Sequence, residues 1–186
     1  MNRYIRYMIM AAMVMTTGIS CIKAKLEVTY TNQESKIDQY INSNKYTDSS
    51  KTDSLRVVYN GGSSRLVMTE GTGEELTSKG TVAFYYAGYV FTGSKSASGL
   101  FTTNHQETAK SAGWNLTDED FSIYQINMSD AQLLEGLRHG LLGVKGGEHC
   151  QILFTGKYGF GNEEFGIIPA NSALLYEIWV EAVSND

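Results

Sequence analysis

The chain has only two cysteines, Cys21 and Cys150, among 186 residues. With Cys21 on an N-terminal tail, they provide no disulfide framework. Cys150 falls in the alternating run from Glu148 to Phe154, where a small buried thiol suits a strand core. Histidine is equally scarce: His105, His139 and His149 are scattered and make neither a metal-ligand set nor a triad, so no metal or cofactor is expected. Adjacent residues on a strand face opposite ways, so His149 and Cys150 are not a nucleophile pair. A basic block is missing and the formal net charge is -5, which argues against nucleic acid as a partner. The chain also lacks a phosphate-cradling glycine loop with a lysine, and it has no internal repeat.

What is present is a globular composition, 42% hydrophobic and 19% charged, sized for one domain and a tail. Twelve tyrosines and seven phenylalanines lean it towards strands and aromatic-lined cavities. Residues 1–20 read as an export signal: Arg3 and Arg6 supply the positive end and the apolar stretch from Tyr7 to Met15 follows. That stretch is too short to span a bilayer permanently. Gly18-Ile19-Ser20-Cys21 resembles a lipobox, although glycine at its first position is unusual, and makes Cys21 the expected lipidation site. Residues 21–54 then read as a lipid-anchored tether. Apolar positions 37, 40 and 41 predict a short amphipathic helix around 33–41, and a Ser/Asp/Lys-rich linker follows over 47–54.

Residues 55–186 read as the folded domain. Leu55–Tyr59 and Arg65–Thr69 look like strands joined by the turn Asn60-Gly61-Gly62. Thr81–Phe91 is apolar or aromatic on both faces, so its strand is buried on one side and at least partly covered on the other. The outward set Tyr85, Tyr89 and Phe91 serves a partner or lies under the N-terminal segment. Segment 104–120 is polar, with a short helix near Gln106–Ala112 and the lone Trp114. Phe121–Met128, Glu148–Phe154 and Ala173–Val183 alternate as further strands. Ser129-Asp130-Ala131-Gln132 has the form of a capping box, and the leucines at 133, 134, 137 and 141 give the helix after it an apolar stripe. Gly136 and Gly140 suit a helix pressed against a sheet, at a cost of up to about 1 kcal/mol each. The expected fold is α+β: an antiparallel sheet wrapped around one short helix, preceded by a helical or extended tether.

Four blocks stand in order. They are Val82-Ala-Phe-Tyr-Tyr86-Ala-Gly88; Phe101-Thr102; the run from Leu133 to His149; and the stretch from Tyr158-Gly159 through Ile168-Pro169 to Leu174–Val180. In order and approximate spacing, over about residues 64–183, they resemble the FKBP family of peptidyl-prolyl cis-trans isomerases. The resemblance implies a cavity with Tyr86, Phe101, Tyr124 and Tyr176 as aromatic walls. It implies Leu133 and Leu134 beside the helix, Ile168 at the rim, and a Tyr158 hydroxyl offered to the substrate carbonyl. Catalysis would then rest on Tyr158, Tyr86 and Phe101, with the others binding substrate. Two positions depart from the family: its usual carboxylate is Thr102 here, and the tryptophan that floors its pocket is Leu137.

Such a cavity acts without mobile protons. Rotation about an Xaa-Pro bond faces a barrier of roughly 18–20 kcal/mol because amide resonance must be broken. The planar amide is strongly dipolar and the twisted one is not, so an apolar, water-poor hollow favours the twisted state differentially. The resemblance implies that mechanism, with Xaa-Pro segments of polypeptides as partners. The expected role is folding of exported proteins at the bacterial envelope, on a lipid anchor in the outer membrane facing the periplasm. Two other readings carry different tests. Thr102 and Leu137 suit a catalytically weak or inactive binding module or chaperone, and Trp114 with the 93–120 loops suits a ligand-binding surface lipoprotein.

Overall fold

The computed structural model describes residues 3–46 and 54–185, with side chains from residue 23 onward. The Cys21 side chain and most of the 47–54 linker lie outside the described residues, as do the side chains of the export segment. The elements are α1 (Arg3–Asn44), β1 (Val57–Asn60), β2 (Ser63–Thr69), β3 (Thr81–Val90), β4 (Leu100–Thr103), α2 (Gln106–Ser111), β5 (Tyr124–Asn127), α3 (Glu135–Leu141), β6 (His149–Phe154) and β7 (Leu174–Ser184). The sheet is antiparallel in the order β1-β2-β6-β7-β3-β4, and β5 joins β3 beside β4. This is the α+β arrangement that the strand pattern predicts.

The β1–β2 turn has the chemistry its sequence announces. Asn60 pairs with Ser63, and the two residues between them, Gly61 and Gly62, have φ of +54° and +85°. Positive φ at both central positions matches the right-handed twist of a tight hairpin, and glycine reaches it without strain.

The sheet buries both faces. On the concave side Val82, Phe84, Ile152, Phe154, Leu174 and Ile178 pack against Leu137 and Leu141 of α3. Gly136 and Gly140 make that approach possible: a Cβ would lie 2.2 Å from the Phe154 ring and 2.1 Å from Ile152 Cγ2. The last turn of α3 is held by Arg65, whose Nη1 donates to the carbonyls of Gly140 and Leu142 at 2.8 Å each. The guanidinium satisfies orphan carbonyls at the negative end of the helix. Arg65 Nε also lies 3.3 Å from Glu148 Oε1, in an ion pair with both side chains almost fully buried. On the convex side Ile37 and Ile41 of α1 cover Tyr89, Phe91, Leu153 and Leu175.

Two expectations change. The helix at 33–41 is not a short one but the end of the longer α1, and it packs on the sheet: Tyr40 OH donates to Gln151 Oε1 at 2.9 Å, and its ring meets Phe91 edge-on at 5.4 Å. The outward aromatics Tyr89 and Phe91 therefore lie under the N-terminal segment. Secondly, Ser129–Gln132 does not cap α3. The Ser129 amide donates to Asn127 Oδ1 at 2.9 Å and the Gln132 amide to Asp130 Oδ1 at 2.8 Å. These local turns compete with helix, so α3 starts only at Glu135, with Leu134 at its N-cap. Arg138 donates to the Met128 and Asp130 carbonyls and braces the turn.

Candidate functional site

The concave face is only partly filled. Beyond the N-terminal end of α3 a hollow of about 370 Å³ opens among Tyr86 of β3, Tyr124 of β5, Tyr176 of β7 and Thr102 of β4. Leu133 and Leu134, on the turn into α3, form a side wall; Leu137 belongs to the floor and is 6% exposed. Phe160 and Phe165 come from the loop after β6. A neighbouring hollow of about 470 Å³ shares Thr102, Phe160, Phe165 and Tyr176 and adds Phe101, Trp114, Ile167 and Ile168.

Most of the rings are set edge to face. Phe84, Tyr86 and Tyr124 form a triangle with centroids 5.5–6.1 Å apart and planes 65–80° apart. Phe101 meets Tyr176 edge-on at 5.8 Å, and Phe160 stacks on Phe165 at 5.5 Å. Such geometries add roughly 0.5–1.5 kcal/mol per pair beyond burial and hold the walls in place. Gly88 keeps space for one pair: a Cβ there would lie 2.8 Å from Phe101 and 3.0 Å from Tyr176.

Asn104, buried, organises the rim from behind. β4 pairs with Ala87–Tyr89 and β5 with Thr81–Phe84, leaving a gap in the ladder beside Tyr86. Asn104 Oδ1 accepts the Tyr86 amide at 2.6 Å, while Nδ2 donates to Ser122 O at 2.9 Å. Thr103 Oγ1 donates to Tyr86 O at 2.7 Å. Tyr86 is thereby fixed by side-chain bonds where strand pairing stops.

Two of the aromatic walls are firmly neutral. Burial, reinforced by Tyr86 and Asp130, pushes the Tyr124 phenol up, and burial pushes Tyr176 up further, with Tyr86 and Tyr124 adding to it. Both therefore stay protonated across the neutral range. Among the described residues the hydroxyls of Tyr86, Tyr124 and Tyr176 bond to no protein group, so they are free to donate to a ligand. Asp130, which accepts from Gln132, is the one carboxylate lining the first hollow. Tyr124, Phe165 and Ile167 are 44%, 65% and 59% exposed around the two openings.

The first hollow thus gathers Tyr86, Tyr124, Leu133, Leu134, Leu137 and Tyr176, while Phe101 and Ile168 fall in its neighbour. Tyr158 is a correction: it lines neither. It ends a 3-10 turn, Gly156–Tyr158, and its ring lies against the β1–β2 turn, where a Cβ on Gly62 would come within 2.1 Å of it. His139 approaches it edge-on at 6.2 Å. Gly159, at φ −104° and ψ −129°, then redirects the chain, so the ring delivered to the hollow is Phe160. No phenolic hydroxyl reaches the cavity from this loop. The repeated Tyr-Gly-Phe-Gly pattern holds two aromatic–glycine pairs, and the second is the one at the site. Phe165 and Asn104 were also unmarked in the sequence; only the polar, strand-breaking position of Asn104 hinted at it.

An aromatic-walled hollow above one short helix is the geometry the resemblance of the sequence motifs implies. Residues 73–181 match the family model for the FKBP-type peptidyl-prolyl cis-trans isomerase. The chain belongs to the FKBP-type isomerase family. Members of this family are peptidyl-prolyl cis-trans isomerases, and their substrates are proline-containing polypeptides. A relative in Aspergillus oryzae, FK506-binding protein 1, is 26% identical over 117 residues, spanning 63% of this chain and 94% of the relative. Among solved structures, the three FKBP domains of wheat FKBP73 align with a TM-score of 0.57 at 21% identity, over 72% of this chain and 53% of theirs. FkpA from Escherichia coli aligns over 99% of this chain and 73% of its own, with a TM-score of 0.53 and 18% identity. At these identities the structural matches speak for the fold alone.

Proposed function

We propose that the protein isomerises Xaa-Pro bonds of exported polypeptides at the cell envelope, held there by lipid on Cys21. The observation that carries the catalytic part is the aromatic-walled hollow of about 370 Å³ with three phenols whose hydroxyls have no protein partner. A proline ring suits the apolar walls. One of the free hydroxyls donates to the carbonyl of the bond being twisted, and the exclusion of water penalises the planar, dipolar amide. Since Phe160 brings no hydroxyl, that donor comes from the strand tyrosines, Tyr86 or Tyr124, rather than from Tyr158. The envelope address rests on Arg3, Arg6, the apolar stretch after them and the Gly18–Cys21 sequence.

The test is exchange NMR on Xaa-Pro peptides with the full chain. Acceleration is expected, with kcat/KM lowered roughly tenfold or more in Phe160→Ala, which removes a wall. Tyr158→Phe should leave it within about twofold. Absence of acceleration for every Xaa residue would reject catalysis. The address is checked separately by radiolabelled palmitate incorporation, lost in Cys21→Ser, and by membrane fractionation. Phe160, Thr102 and Leu137 together also favour a second reading, a module that binds proline segments without turning them over. Peptide binding without acceleration would select it.

A further inference from the structure

The loop from Gly156 to Asn171 carries Phe160, Phe165 and Ile168 to the hollows, and its two ends are held by one side chain of α1. Gln33 Oε1 accepts the Gly156 amide at 2.9 Å, and Gln33 Nε2 donates to Asn171 O at 2.6 Å. Tyr30 OH adds a bond to Asn171 Oδ1 at 2.8 Å. The two ends touch each other: a Cβ on Gly156 would lie 2.4 Å from the Asn171 carbonyl carbon. Asn171 stands at φ +58°, the one positive φ among the described non-glycine residues, a left-handed turn that asparagine adopts more readily than other L residues and that reverses the chain at the neck. α1 also lies outside the stretch 73–181 that matches the family.

We propose that Gln33 is a positioning residue for the isomerase site, closing the neck of this loop so that its rings stand at the hollow before substrate arrives. The proposal rests on the isomerase reading for its kinetic consequence, but not for its structural one. A primary amide suits this place because it presents an acceptor to one end and a donor to the other. With the clamp gone, the loop closes only part of the time. Apparent affinity then falls by the closed fraction, while the closed complex turns over as before. The effect is therefore expected in KM and not in kcat.

The experiment compares Gln33→Ala, Tyr30→Phe and Tyr40→Phe in the full chain. Tyr40→Phe is the control, since it removes a bond from α1 to the sheet that never touches the loop. Gln33→Ala should raise KM for an Xaa-Pro peptide roughly three- to tenfold with kcat within about twofold, and Tyr30→Phe should raise it about twofold. Hydrogen exchange at Gly156 and through to Asn171 should quicken in Gln33→Ala and stay unchanged in Tyr40→Phe. Equal shifts in Gln33→Ala and Tyr40→Phe, or none in either, would overturn the proposal, since helix docking in general would then explain everything. If the unaltered chain accelerates no isomerisation, the isomerase reading fails and exchange alone decides: a loosened loop upholds the clamp and an unchanged loop removes it. If Gln33→Ala does not fold, Tyr30→Phe against Tyr40→Phe decides in the same way, with smaller shifts.

Discussion

The two faces of the sheet receive helices of very different reach. α1 spans Arg3–Asn44 and lays Ile37, Tyr40 and Ile41 over the convex side, leaving Tyr89 and Phe91 only 6% and 5% exposed. α3 has seven residues, about 10 Å of helix, against a β7 strand of eleven residues that extends over about 35 Å. It covers one end of the concave side, and the uncovered remainder is the hollow. Strand β3 gives its tyrosines to both sides, so whether an aromatic becomes core or site depends on the length of the helix laid against it.

Each face also carries a buried carboxylate, and the two are arranged oppositely. On the concave side Glu148 pairs with Arg65, yet burial outweighs the attraction of Arg65 and Arg56 and raises its pKa. On the convex side burial pushes Glu177 up, but hydrogen bonds from His149 at 3.2 Å and Lys95 at 2.8 Å, with their charge, bring it down to about 2. A raised carboxyl is more at home protonated in the folded protein, so Glu148 favours folding below its unfolded pKa and loses that contribution as pH rises through its folded value. A lowered one does the reverse.

The largest expected effect breaks the concave side. Arg65→Ala leaves Glu148 buried without its closest cation and the last α3 carbonyls without donors, and should cost about 3–5 kcal/mol in urea unfolding. Replacing it with a well-packed apolar residue together with Glu148→Leu should recover much of that loss. Next comes the convex side: Ile41→Ala removes a side chain only 1% exposed and should cost about 2–4 kcal/mol. Its effect on peptide affinity at the hollow should be small, because Ile41 packs on the opposite face of the sheet. The smallest effect is the acid limb. Stability should fall by on the order of 2–3 kcal/mol on account of Glu177 as pH drops from about 5 towards 2, and Glu177→Gln should flatten that limb in pH-dependent thermal melts.

Much of this was legible beforehand. Alternation marked β3, β6 and β7, the double glycine marked the first hairpin, and Gly136 and Gly140 marked a helix pressed on a sheet. A fixed period also assigns each strand residue a face, but which of those residues wall the hollow was implied only by the motifs' resemblance to the family. Legibility ended where local hydrogen bonds decide the chain direction. Asn127 and Asp130 turned an apparent cap into two turns, and Gly159 rotated the site loop by one aromatic–glycine pair, exchanging Tyr158 for Phe160. The polar contacts of α1 also escaped, because Gln33 and Tyr30 meet backbone and side-chain groups far away in sequence, which no periodicity reports.

The Asn104 side chain has one more effect, on how the chain can change length. Between β4 and β5 the partner edge of β3 is already interrupted, and a single carboxamide joins the two sides of the break. Extra residues placed just beyond it, such as the stretch holding α2 and Trp114, shift no strand pairing on either side, and longer loops cost little more in closure entropy. New surface can thus grow next to the openings while the walls keep their register, which makes this break the natural point for diversifying what the protein grips.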